Sequence, residues 1–227
     1  MALDSLLLRS PPNLTSLPEQ VAKAIAEAIM KNEIAPGASL REIPLANYFG
    51  VSRSSVREAL RILERDGVVS IQPRHGAKVT ALSHDEMVEI YQIRAALLGV
   101  ACDLFARLRT DAQLRRLNDT LTRMSALEGA DEQARALEHA ELSAGMARLI
   151  CEHCGNKKLA NMLNQMSLQI ARYTTLGLSA ASRRQQSLGN WRKLLDALEA
   201  QDHESANRCG QKLVHDNLAY ALGLLED

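Results

Sequence analysis

Aromatic side chains are scarce: one Trp, four Tyr and two Phe, 3% of a 227-residue chain. Leu, Ala and Met must therefore fill whatever core exists. Cysteine is sparse as well, and Cys102, Cys151, Cys154 and Cys209 are too few and too scattered for a disulfide framework. No apolar run approaches the length of a membrane span, and Leu6-Leu7-Leu8 is too short for the core of a signal peptide. The expectation is a soluble, cytoplasmic protein with no membrane partner. No Gly-rich phosphate loop, G-x-S-x-G elbow or H-E-x-x-H pair occurs, so enzymatic chemistry has no visible carrier. Net charge is absent too, with 27 basic against 27 acidic residues. Ser39 to Val79 nevertheless holds 7 Lys/Arg and 4 Asp/Glu, a local excess of +3. Such a local surplus is what a protein that searches DNA needs.

That same stretch is the most informative in the chain. From Leu40 a short apolar-periodic helix stops at Gly50, and a second restarts after Ser52. Two helices joined by so short a turn cross steeply, and the second can project into a groove. Ser52 is a good N-cap. Val56, Ala59, Leu60 and Leu63 form the stripe that anchors the second helix. Arg53, Ser54, Ser55 and Arg57 are left at its exposed leading end, where a helix N-terminus already favours phosphate oxygen. Two guanidiniums and two hydroxyls add donors for phosphates or guanine edges. Arg61 and Arg65 continue the basic tendency, as a solvated face would too. After Gly67, Val68 to Ile71 and Ala77 to Thr80 read as a hairpin of the wing type. Its tip carries Arg74 and His75 beside Gly76, which permits close approach to a minor groove or phosphate.

Pro36-Gly37, Leu40-Arg41-Glu42, Gly50-Val51-Ser52-Arg53, Val56-Arg57-Glu58-Ala59-Leu60, Leu63, Asp66-Gly67 and Gly76 together resemble the winged helix-turn-helix of GntR-superfamily transcription regulators. The resemblance covers residues 16–81. It places DNA contacts on Ser52, Arg53, Ser54, Ser55 and Arg57, and a wing contact on His75-Gly76. In the FadR branch an arginine of the first helix also touches DNA; Ile43 stands there in this chain, and Arg41 is the nearby substitute.

From Ser83 the chain reads as helical to its end. Ser83-x-x-Glu86 and Thr110-x-x-Gln113 are capping boxes. Val88, Tyr91, Ala95, Leu98 and Cys102 share one face, and Leu114, Leu117, Leu121 and Met124 mark the next helix. Gly129, Gly155-Asn156, Leu176-Gly177 and Gln201-Asp202 punctuate the remainder. The expected architecture is mainly α: a winged helix-turn-helix followed by an all-α antiparallel bundle of about six helices. The chain thus divides into a flexible arm (1–15), a DNA-binding domain (16–81) and a helical domain (82–227), to which the family resemblance of its helices assigns effector binding and dimerisation. Cys151-Glu152-His153-Cys154 invites a zinc or redox reading, yet a structural zinc site wants four ligands and no second pair exists. The end of a helix, closed by Gly155-Asn156, is the expected role.

Ile93-Arg94-x-x-Leu97, the helix ending at Cys154-Gly155-Asn156, and Asn190 to Ala206 resemble the FCD ligand-binding domain of the FadR-like branch, over nearly all of residues 84–225. The resemblance implies a bundle whose interior binds a small metabolite, commonly an organic acid, often beside a divalent metal. The four positions where that branch carries its metal ligands fall on Ser143, Ala147, Trp191 and Leu213. A hydroxyl, a methyl, an indole and an isobutyl group cannot hold a metal, so no metal or other cofactor is expected. These four positions and Arg94 are the candidate effector contacts. Arg94 either holds a carboxylate bidentately or serves as an exposed or interhelical ion-pairing arginine. Trp191 either lines a cavity, with Met146 and Met166 nearby, or fills the space of the lost ligands.

The function expected from all this is a homodimeric repressor that binds an inverted-repeat operator and answers to a small-molecule effector, with Thr80 to Ser83 as the hinge. Two rivals remain: a ligand-free dimerisation bundle, and an enzyme fused to a DNA-binding module.

Overall fold

The computed structural model describes residues 15–31, 33–72, 76–127 and 131–224. They divide into two compact units, residues 15–29 with 33–80, and residues 81–224 with 30–31. Most of the expected 1–15 arm, together with Arg74, His75 and Gly129, lies outside the described residues.

The first unit opens with α1 (Leu17–Met30). Its start is secured reciprocally: the Glu19 carboxylate accepts from the Ser16 amide at 2.7 Å, and Ser16 Oγ accepts from the Glu19 amide at 3.4 Å. Val21, Ala22, Ile25, Ala26 and Ile29 recur at helical spacing and are buried. After β1 (Ser39–Leu40), α2 (Glu42–Phe49) stops at Gly50, whose φ of +64° only glycine adopts cheaply, and whose amide returns to the carbonyls of Ala46 and Asn47. Ser52 then caps α3 (Arg53–Arg65), its side chain accepting from the Ser55 amide at 3.1 Å. Val56, Ala59, Leu60 and Leu63 bury the stripe expected of them, against α1 and the strands.

The wing strands are β2 (Val69–Gln72) and β3 (Gly76–Val79), each offset by one residue from expectation. The cause is local. The Val68 amide is spent closing α3 on the Leu63 carbonyl at 2.9 Å, so the ladder starts at Val69. It ends where Gln72 pairs with Gly76, whose φ is +79°. β3 is central and antiparallel to both neighbours, and β1, a two-residue strand with no periodicity to betray it, is the third member.

The second unit is a bundle of six helices among the described residues: α4 (His84–Leu108), α5 (Asp111–Ser125), α6 (Glu132–His153), α7 (Lys157–Leu176), α8 (Ala181–Glu199) and α9 (His203–Gly223). Both capping boxes form. The buried stripe of α4 begins at Met87 rather than Val88, which is half-buried at the stripe's edge; Tyr91, Ala95, Leu98 and Cys102 continue it. Leu114, Leu117, Leu121 and Met124 are buried on α5. The backbones of α4 and α9 come close at Gly210, where a Cβ would lie 2.7 Å from Cys102 Sγ and 3.2 Å from the Leu98 carbonyl oxygen. Cys154 terminates α6, its thiol donating to the Cys151 carbonyl at 3.1 Å, and Asn156 caps α7. That is a helix end.

Candidate DNA-binding surface and effector cavity

The leading turn of α3 concentrates hydroxyls and cations. Ser52 Oγ lies 2.7 Å from Ser54 Oγ and 2.9 Å from Ser55 Oγ, so all three hydroxyls sit together at the helix's positive end. Arg53 and Arg57 are both exposed, and both reach back to Glu42 on α2. Arg57 donates through Nε and Nη2 to the two Glu42 oxygens at 2.8 Å each, and Arg53 Nη2 reaches Oε2 at 3.4 Å. The hydrogen bonds from Arg57 hold the Glu42 carboxyl below its ordinary range and raise the guanidinium. Glu42 thus draws two guanidiniums to one point. No local signal in the sequence marks a carboxylate on one helix as the partner of arginines on the next.

Arg41 is exposed at the start of α2 with an extended backbone and no capping bond from its side chain. Ile43, where the FadR branch has an arginine, is 55% exposed. On the hairpin, the Glu64 carboxylate accepts from the Ile71 amide at 3.2 Å, tying the end of α3 to β2.

The bundle encloses a cavity of about 370 Å³. Arg94, Ser143, Ala147, Trp191 and Leu213 all lie on its wall. Space exists because α6 presents Ala140, Ser143, Ala144 and Ala147, small residues at three- and four-residue spacing, where larger ones would close it. Met146 and Met166 are absent from the wall; Met146 is buried in the core instead. Trp191 is 2% exposed, and its Nε1 donates to Ser143 Oγ at 3.0 Å. Two of the four expected effector positions therefore satisfy each other.

The polar lining carries three guanidiniums, Arg94, Arg148 and Arg183, and one carboxylate, Glu141, beside neutral groups. Arg94 Nη1 donates to Ser167 Oγ at 2.6 Å and to the Leu163 carbonyl at 3.3 Å, which anchors it on α7. Burial pulls its pKa down, and the groups that oppose this are Tyr91 and Cys151. Both are neutral at physiological pH, since burial pushes each of them up to about 12. Among the described residues no carboxylate pairs with Arg94. Tyr91 donates to Asn217 Oδ1 at 2.8 Å, and Asn217 Nδ2 to the Thr174 carbonyl at 3.1 Å, so α4, α9 and α7 are joined across the wall. Arg183, Ser187 and Asn190 complete the α8 side. Of these wall residues, the sequence assigned only Arg94 to the site; Asn217, Thr174, Arg183 and Ser187 carry no local signal.

The donor set does not fit a divalent metal. Ser143 is engaged by Trp191, while Ala147 and Leu213 offer no donor. His139 is 1% exposed with Nε2 3.0 Å from Ser187 Oγ, and burial beside Arg184 and Arg183 lowers its pKa to about 4. No cluster of three or more His, Cys, Asp or Glu able to hold a metal occurs among the described residues.

Residues 17–79 match the family model for bacterial regulatory proteins, gntR family, and residues 89–216 match that for the FCD domain. The chain belongs to the GntR family, in its FCD-containing form. It is similar to the HTH-type transcriptional regulator YdhC of Bacillus subtilis, at 27% identity over 83% of this chain and 84% of that protein. It is also similar to a probable D-xylose utilization operon transcriptional repressor of Paenarthrobacter nicotinovorans, at 27% identity over 91% of this chain and 88% of that protein. Among solved structures, Escherichia coli McbR/YncC superposes with a TM-score of 0.80 at 24% identity, covering 94% of this chain and 100% of that one. That likeness speaks for the fold. This GntR-family protein is a DNA-binding transcriptional regulator whose homologues include named repressors. No helix among its described residues is long and apolar enough to cross a membrane.

Proposed function

We propose that this GntR-family regulator is a homodimeric, cytoplasmic repressor that binds an inverted-repeat operator and is released from it by an organic acid held in the bundle cavity. DNA contact is assigned to Ser52, Arg53, Ser54, Ser55 and Arg57, with Arg74, His75 and Gly76 on the wing and Arg41 beside them. Arg94, Ser143, Ala147, Trp191 and Leu213 are assigned to the effector. The observation that carries the effector reading is Arg94: a guanidinium on the cavity wall, desolvated, with neutral partners only. A half-buried cation without an ion-pair partner carries a desolvation cost, and a ligand carboxylate would relieve it. An effector acts only if it prefers one of two states of the dimer, by a margin typically of about 1–3 kcal/mol.

The dimer reading rests on α4. Ile93 and Val100, 49% and 44% exposed, lie seven residues apart and are flanked by the half-buried Ile90, Leu97 and Leu104. That heptad-like stripe suits a second copy of the same helix.

The test is fluorescence anisotropy on operator duplexes selected from random DNA, with and without organic acids. Recovery of palindromic sites and their release by an acid is the expected outcome. Selection of no consensus would remove the operator assignment, and release by none of the acids would remove the effector.

A further inference from the structure

Arg183 is the second unusual cation of the cavity wall. Only 6% exposed, it donates through Nη1 to Gln186 Oε1 at 2.6 Å and stacks over the Tyr220 ring at 5.9 Å. Its Nε is buried with no hydrogen-bond partner among the described residues. Asp216 is the nearby carboxylate, but one of its oxygens accepts from Asn190 Nδ2 at 2.7 Å and Gln186 Nε2 at 2.9 Å, and the other from Lys212 Nζ at 2.9 Å. Asp216 is thus already occupied and forms no ion pair with Arg183 within 4 Å. An unpaired, desolvated N–H on a cation is costly, and protein interiors rarely keep one.

Arg94 and Arg183 belong to different walls. Arg94 is tied to α7 through Leu163 and Ser167, whereas Arg183 is tied to its own helix and α9 through Gln186 and Tyr220. They share no hydrogen-bond partner, and each is held on a different helix. Between them the lining supplies neutral groups, among them Tyr91, Thr174 and Asn217.

We propose that Arg183 is a second anion-binding point in this cavity, so that the effector is a small organic dianion, a dicarboxylate, held by Arg94 at one carboxylate and by the Arg183 guanidinium at the other. The inference rests on the organic-acid reading above and specifies its ligand class. Ser187 and Asn190, buried on the same face of α8, flank the second point.

The probes are straight-chain monocarboxylates and α,ω-dicarboxylates of four to eight carbons, titrated into the full-length protein. Emission of Trp191, the single tryptophan of the chain and part of the cavity wall, reports binding. In the wild type one or more dicarboxylates should bind at least about tenfold more tightly than the monocarboxylate of equal length, the worth of one charge-assisted hydrogen bond. Arg183→Met should erase that preference while leaving monocarboxylate binding intact. Arg183→Lys, which keeps the charge but loses Nε, should lower the preference several-fold and serves if the Met variant does not fold. Arg94→Met should lose both ligand series. Equal affinity for the two series, or a preference that survives in both Arg183 variants, overturns the second anion point and leaves the organic-acid reading in place. Failure of every acid to bind the wild type overturns both.

Discussion

Replacing Arg57 by Gln isolates the contribution of the recognition helix. Arg57 is exposed, and its fork already grips a carboxylate through two 2.8 Å hydrogen bonds, the geometry in which a guanidinium grips a phosphate. If Arg57 neutralises one phosphate in each half-site, the slope of log K against log salt falls by about 0.9 per protomer, or about 1.8 per dimer. Between about 0.05 and 0.2 M salt, a fourfold change, that difference makes the affinity gap between wild type and variant shrink about twelvefold. Fluorescence anisotropy on operator and random duplexes across that salt range measures it. If Arg57 instead reads a guanine edge, the slope stays and discrimination between operator and random DNA falls. Glu42→Gln should act in the opposite sense, because the carboxylate that occupies both arginines in the free protein is gone; affinity for random DNA should rise more than affinity for the operator. An Arg57→Gln protein with unchanged slope and unchanged discrimination would refute the assignment of this helix end.

Three further outcomes are expected. His139 is neutral when folded, with a pKa lowered to about 4, while its unfolded value is 6.5. The unfolded chain therefore binds the proton first as pH falls, and stability is complete above about 6.5 and declines towards about 4, by an amount on the order of 3 kcal/mol. Urea melts of wild type and His139→Gln from neutral pH downward should diverge in that window and run parallel above it. Gly210→Ala forces a methyl against the fully buried Cys102 and the Leu98 backbone, so thermal or urea unfolding should show a loss of about 1–3 kcal/mol. Val100→Asp places a charge in the exposed stripe of α4 and should convert the dimer to monomer in sedimentation, with loss of operator binding and little change in helicity.

The DNA-binding half was legible because its signals are local. Ser52 caps the helix that follows it, Gly50 needs the left-handed conformation two residues earlier, and the stripe of α3 repeats at helical spacing. The offset of the wing strands was not, because it depends on the Val68 amide closing the preceding helix. In the bundle the capping boxes at Ser83 and Thr110 and the helix end at Cys154 were local too. The cavity was not, since its polar architecture joins residues far apart: Tyr91 meets Asn217 across 126 positions, and Arg94 meets Ser167 across 73. Periodicity says which face of a helix is buried, not which buried polar groups find one another. Trp191 likewise finds its partner in Ser143, 48 positions away, rather than in Met146 or Met166.

The cavity also allows a direct test of what replaced the metal of related domains. Ser143, Ala147, Trp191 and Leu213, the four positions expected to correspond to the family's ligands, all line the cavity, yet they carry a single oxygen donor that already accepts from Trp191. Positive charge in this cavity comes from Arg94, Arg148 and Arg183 instead. Guanidiniums can receive a carboxylate as a metal would, but they do so by directed hydrogen bonds and without open coordination sites. If only the donors are missing, then Ser143→Asp, Ala147→His, Trp191→His and Leu213→His combined should yield a protein that purifies with about one zinc or nickel per chain and melts lower after chelation. The wild type should contain none and melt identically with and without chelator. Stoichiometric metal in the wild type would mean that donors outside these four positions converge, and the cationic account of the cavity would fall. A folded quadruple variant that takes up no metal would instead show that the backbone of α6, α8 and α9 has moved away from the ligand geometry, and that the loss of metal is built into the helix packing rather than into four side chains.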